Sequence, residues 1–235
     1  MDVQCQKTGH RIFRLTREFK CYDMESLRLI LSSIETNNYD KFAYMNCGTA
    51  GPHQDYETHW LDIMFAHLSE TVKMTGLSIN CHCFGKTVPH IQSMVFATDR
   101  TGLDVIRDIP FDCEADPVYT NLTDSKARMI HIVKNYECKM GRSLLNAGFG
   151  LQSMLQTQPV HAVEQCKHYD FWTPKTMRRA FKEYPTFQEL MFFKSSRFAT
   201  RDVMSELKFS RLEIWGMSLW KFQWTYELQH LWNGV

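Results

Sequence analysis

No run of about 18 apolar residues occurs in this chain, and a helix that crosses a bilayer needs about 20. The first ten residues, MDVQCQKTGH, lack the basic start and apolar stretch of a secretory signal. The sequence as given therefore reads as soluble and cytoplasmic, with the Golgi or secretory lumen open to it only through an anchor carried upstream. An excess of either charge is missing too: 27 Lys and Arg stand against 26 Asp and Glu, a net charge of +1. Without a basic surplus there is no bulk attraction to nucleic acid or to anionic membrane. No GxGxxG or GxxxxGK sequence is present, which disfavours dinucleotide and P-loop enzymes, whose phosphate cradles need those glycines. CxxC pairs, internal repeats and low-complexity linkers are absent as well.

What is there suits a globular chain. Hydrophobic residues make up 44% and charged residues 23% of 235, enough for one sizeable core. The eight cysteines, Cys5, Cys21, Cys47, Cys81, Cys83, Cys113, Cys138 and Cys166, are scattered, several within apolar runs where a thiol acts as a small hydrophobe. Reduced cysteines are the expectation. Asn121-Leu122-Thr123 fits a glycosylation acceptor, a common tripeptide that matters only in a secreted chain.

Hydrophobic spacing supplies the elements. Arg11 to Leu15 alternates as a half-buried strand. Asp23 is placed to cap a helix in which Met24, Leu27, Leu29, Ile30 and Ile34 recur at helical spacing until Asn37-Asn38. Phe42 to Met45 is a short buried strand that runs into Asn46-Cys47-Gly48-Thr49-Ala50-Gly51-Pro52, where Gly and Pro forbid regular structure. Tyr56 to Leu68 reads as a helix, Val72 to Ile79 as a strand and His90 to Thr98 as a second buried strand. Asp99 can cap a helix from Thr101 to Arg107. Asn121 to Ala147 is largely helical and is closed by Gly148. The final third, with four Trp from Trp215 to Trp232, is aromatic-rich and mostly helical or irregular. Alternating strands and helices predict an α/β layer structure with a mainly parallel sheet. In such sheets ligands bind beyond the carboxyl ends of the strands, where Asn46 to Pro52 lies.

Cys81-His82-Cys83 with nearby His90 invites a zinc reading. Alternate side chains of a strand share a face, so Cys81 and Cys83 lie together and His82 points away. Structural zinc sites use wider pairs, and buried thiols are the better reading. Polar anchors remain at the ends of apolar segments: Arg17-Glu18 and Tyr22-Asp23, then Asn46 to Pro52, then His90-Ile91-Gln92-Ser93, and finally Glu137 before Arg142 and Gly148.

Their order, carried by REFKCYD (17–23), YDKFAYMNCGTAGP (39–52), VKMTGLSINC (72–81), PHIQSMVFATDRTGL (89–103), YECKMGRSLLNAGF (136–149) and FFKSSRF (192–198), resembles glycosyltransferases of the GT-A type related to rhamnan-synthesis and capsular-polysaccharide enzymes. The PHIQSMVFATDRTGL block is the most specific part. The resemblance implies a GT-A-like, Rossmann-like domain over 1–200 with a helical extension over 201–235. It also implies a nucleotide-sugar donor and a glycan or other hydroxyl acceptor. By the same likeness, Glu137, eleven positions before Gly148, is the catalytic base. Arg17, Asp23, Asn46, Cys47 and Gly48 would line the donor diphosphate, while His90, Gln92, Ser93 and Arg142 would meet substrate.

The chain departs from that pattern in two places. Relatives bind a divalent cation, Mn or Mg, through Asp-x-Asp, where this sequence has Asn46-Cys47-Gly48, and neutral Asn is a poor ligand for a hard cation. Relatives also carry further strands and helices before the block at 17–23, the part that would hold the nucleotide base and ribose. Two alternatives stand beside the transferase: a catalytically degenerate carbohydrate-binding or scaffold protein, and a metal-binding module on Cys81, Cys83 and His90.

Overall fold

The computed structural model describes residues 21–46, 49, 50, 52, 59–154, 156, 158–166 and 191–194, with the short strands at 2–4 and 11–13. Strands β1 (Asp2–Gln4) and β2 (Arg11–Phe13) pair antiparallel. Helix α1 (Tyr22–Ser33) turns Met24 and Leu27 into the core. Strand β3 (Lys41–Met45) follows, then a two-residue strand β4 (Thr49–Ala50), helix α2 (Trp60–Ala66) and strand β5 (Val72–Gly76). A ribbon of β6 (Ile79–Cys83) and β7 (Lys86–Ile91) leads to β8 (Val95–Asp99) and helix α3 (Arg100–Arg107). Helices α4 (Pro117–Asn121), α5 (Ser125–Ile132) and α6 (Cys138–Asn146) precede β9 (Gly150–Ser153), and β10 (Phe193–Lys194) pairs with β4.

The central sheet has the order β3-β8-β5-β9. Strand β8 runs antiparallel to both β3 and β5, and only β5 and β9 pair in parallel. The expected mainly parallel sheet is thus corrected to a mixed one. Parallel neighbours need a long crossover, usually a helix. Between β5 and β8 the chain makes the antiparallel β6-β7 ribbon instead, which returns it to the end it left.

One face of the sheet, through Tyr44, Met74, Phe96 and Leu151, packs on α1, α3, α6 and the ribbon, forming the larger core. The other face, with Val95 and Ala97, packs on Met64 of α2 and on Met191 and Phe192. Trp60 meets Phe192 edge to face at 5.1 Å. Helix α6 lies close against β7 because residue 141 is glycine: a Cβ there would stand 2.7 Å from the His90 Cα. Gly148, at φ +84°, supplies the left-handed residue past the α6 end.

Several expectations change in detail. The Asn46 to Pro52 stretch is not wholly irregular, since Thr49–Ala50 pairs with Phe193–Lys194. Residues 90–98 form two strands, parted at Gln92 to Met94. Asn121 to Ala147 is broken between α4 and α5, and at Val133–Glu137 it widens into a π turn in which the Cys138 N–H bonds to the Val133 carbonyl. Asp23 does not cap α1. Cys21 occupies the cap at φ 55° with Tyr22 at φ 53°, two left-handed residues in a row. The aromatic-rich segment beyond 200 lies outside the described residues.

The cysteines are the largest correction. Cys21 is bonded to Cys113, Cys81 to Cys166 and Cys83 to Cys138, with Cα separations of 5.9, 5.7 and 6.4 Å; Cys5 and Cys47 lie outside the described residues. Strand alternation does put Cys81 and Cys83 on one buried face with His82 exposed, but that face meets two further cysteines brought from 138 and 166 by α6 and the segment after β9. Sequence separations of 92, 85 and 55 residues make each cross-link worth about 4 kcal/mol in lost chain entropy. In the denatured, unreduced protein, these six cross-linked cysteines should resist alkylation, and reduction should lower the melting temperature. Labelling of all eight without reductant would contradict the cross-links.

Asp99 caps α3 as expected, accepting from the Gly102 N–H at 2.8 Å, and also binds Lys73 Nζ at 2.6 Å. Asp99→Ala removes a cap and strands a buried lysine. It should destabilise the protein by about 2 to 4 kcal/mol in urea titration.

Candidate functional site

Four of the expected site residues meet at the carboxyl ends of β3, β5 and β9. Three elements deliver carboxylates or amides there. The left-handed Cys21-Tyr22 pair, fixed by the Cys21–Cys113 cross-link, sets Asp23 in the first turn of α1. Its carbonyl accepts from the Tyr44 hydroxyl of β3 at 3.1 Å. Asn46 follows β3 directly, and its N–H bonds to the Met94 carbonyl at 2.9 Å. Glu137 closes the π turn. A π turn inserts one residue into a helix and redirects the side chains after it, and such turns occur frequently at functional sites.

The fourth residue, Ser93, joins them. Its N–H donates to Glu137 Oε1 at 3.3 Å and its hydroxyl to Oε2 at 3.1 Å. The same hydroxyl lies 3.4 Å from Asp23 Oδ2. Asn46 Nδ2 donates to that Oδ2 at 2.8 Å, and Asn46 Oδ1 accepts from the Thr49 hydroxyl at 2.9 Å. A serine hydroxyl has one hydrogen. With Asp23 already served by Asn46, that hydrogen is available to Glu137.

Burial pushes the Glu137 carboxyl above the usual glutamate range. The His90 ring and the two Ser93 donors pull it back, and the Asp23 charge adds to the rise. A carboxyl whose affinity for its proton is raised by burial is a candidate for proton transfer at a functional site.

His90 is 2% exposed, with Nδ1 2.8 Å from the Val88 carbonyl and Nε2 3.8 Å from Cys138 Sγ. A carbonyl only accepts, so Nδ1 carries a proton. Gln92 accepts from the Ser78 hydroxyl at 2.5 Å, and its N–H bonds to the Ser78 carbonyl at 3.2 Å. Arg142 is exposed on α6 and makes no hydrogen bond or ion pair among the described residues. Arg17, Cys47 and Gly48 lie outside the described residues. Among those described, no three His, Cys, Asp or Glu side chains are grouped to hold a metal ion, and no helix is long and apolar enough to cross a membrane.

Met94, which the sequence does not single out, accepts from the Asn46 N–H, and its carbonyl shares the one hydrogen of the Thr49 hydroxyl with Asn46 Oδ1. The Asn46-x-x-Thr49 spacing was the available signal, because Asn side chains commonly bond a polar residue just ahead of them in turns. A second polar cluster sits on the far side of the π turn. Asp116 caps α4, pairs with His131 Nε2 at 2.7 Å and accepts from the Tyr136 hydroxyl at 3.3 Å. Burial, with Asp116 beside it, pushes the Tyr136 hydroxyl up to about 12.

Comparison with protein-family models, curated proteins and solved structures finds no match to this chain. The mixed sheet with its flanking helices, and the Asp23, Asn46, Ser93 and Glu137 cluster at its end, define the class: a mixed α/β protein with a carboxylate-bearing site at strand termini.

The raised Glu137 carboxyl fixes a pH dependence. Its folded-state value exceeds its ordinary 4.5, so the folded chain holds this proton more tightly than the unfolded one. That contribution is full below about pH 4.5 and is lost as pH rises through the folded-state value. Glu137→Gln lacks it. The melting temperature of this variant, measured against the natural chain, should therefore gain steadily from pH 4.5 upward, and a pH-independent difference would show that Glu137 does not titrate as described.

Proposed function

We propose that the protein is a glycosyltransferase that moves a sugar from a nucleotide-sugar donor to a glycan or other hydroxyl acceptor, on a GT-A-like core. The observation that carries this reading is Glu137: a half-buried carboxyl, raised by burial and held through both oxygens by Ser93, at the carboxyl ends of the strands. A carboxylate so oriented can take the proton of an acceptor hydroxyl as the acceptor oxygen bonds to the anomeric carbon. The bond from that carbon to the diphosphate breaks, and its electron pair leaves with the nucleoside diphosphate. Asn46, directly after β3, opens the loop expected to line the donor diphosphate. The side-chain oxygen of Asn46 is turned to the Thr49 hydroxyl.

The test combines binding and turnover. Calorimetry with nucleoside diphosphates and their sugars, with and without manganese, should detect donor binding. Glu137→Gln should lower transfer by about 10² to 10⁴-fold while donor binding is kept. Absence of binding for every nucleotide-sugar would overturn the reading. Retention of a specific glycan on an array without turnover would assign the chain to carbohydrate binding instead.

A further inference from the structure

Ser93 sits in the three-residue break that parts β7 from β8. The turn is pinned on both sides. Before Ser93, Gln92 is tied to Ser78 by a main-chain and a side-chain bond. After it, the Met94 carbonyl accepts from the Asn46 N–H and the Thr49 hydroxyl. Ser93 itself is 7% exposed, and it spends both of its donors on the two oxygens of Glu137.

We infer that Ser93 is the positioning residue of Glu137: a rigid turn presents an N–H and a hydroxyl that fix the orientation of the carboxylate and favour its ionised form. This gives Ser93 a part beside the substrate contact expected of it, and it rests on Glu137 being the proposed base. The ionisable groups that face this carboxyl are Asp23 from α1 and His90 from β7. Asp23 makes the position harder to ionise, His90 makes it easier, and Ser93 stands between the two carboxylates. Loss of the Ser93 hydroxyl removes one donor and leaves Asp23 and Glu137 facing each other unbridged. Both changes favour the protonated form, so they act in one direction.

The experiment follows the side-chain carboxyl carbon of Glu137 by NMR titration of the full chain labelled with ¹³C-glutamate, the signal being assigned by its absence in Glu137→Gln. Ser93→Ala should move the Glu137 titration upward by about one pH unit, and Ser93→Thr, which keeps the hydroxyl, should return it toward the natural value. If Ser93→Ala does not fold, Ser93→Cys, nearly isosteric and a weak donor, should show a smaller upward shift. Where transfer is measurable, the acidic limb of kcat/KM should move in the same order with KM little changed. A Glu137 titration unmoved in Ser93→Ala or Ser93→Cys, or one moved equally in Ser93→Thr, would overturn the inference. The titration needs no sugar transfer. A Glu137→Gln chain that retains full transfer would remove Glu137 as the base, and absence of nucleotide-sugar binding by the natural chain would remove the transferase reading; either leaves the Ser93 titration result standing.

Discussion

A carboxylate withdrawn from water is costly unless donors replace the water it loses. Among the described residues Glu137 meets that constraint through Ser93, and much of the surrounding architecture keeps that residue in place. The two Ser93 donors reach it because the chain leaves the β6-β7 ribbon by a short turn rather than by a helix. The turn holds its shape because Ser78 and Asn46 bind its two flanks. Glu137 arrives opposite because α6 can approach β7 over Gly141, with Cys138, the very next residue, bonded to Cys83 of the ribbon. Sheet, ribbon, cross-link and helix therefore converge on one pair of hydrogen bonds.

Asn46 has a different part in this arrangement from the one its sequence position suggests. Its amide spans Asp23 and Thr49, so its first effect is to hold a neighbouring carboxylate in place. Asp23 in turn depends on two consecutive left-handed residues, Cys21 and Tyr22, a conformation that costs energy for residues with a Cβ and persists only where the surroundings impose it. The cross-link to Cys113 is one such imposition. The site thus combines a strained entry on one side with a pinned turn on the other.

The sequence was most informative where local chemistry decides the outcome. Asp99 caps α3, Gly148 ends α6, and Cys81 and Cys83 share a face; each follows from spacing within a few residues. It was least informative where distant segments meet. Nothing near Cys81 or Cys83 announces Cys166 or Cys138, and an apolar run such as 90–98 carries no mark of the turn within it beyond Gln92 and Ser93. The same limit explains the sheet. Alternation of elements suggested parallel strands, but strand direction depends on whether the connection crosses over, and a hairpin of alternating residues looks like one more strand in sequence. Glu137 and Ser93 were both selected from sequence, yet their relation, separated by 44 residues, became visible only through the fold.

The π turn at Val133–Glu137 has a consequence at the level of the gene. Such a turn amounts to one residue more than a continuous α-helix would contain. Loss of a single codon among Val133, Lys134 and Asn135 would let α5 run straight into α6, with every hydrogen bond of the backbone still made. It would also rotate one side of the helix against the other by about 100°. His131 and Asp116 lie before the turn and Glu137 ends it, so the two polar clusters could no longer both face their partners. A deletion almost silent for helix content would then separate Glu137 from Ser93, which makes the length of this one segment as constrained as the identity of any residue in it.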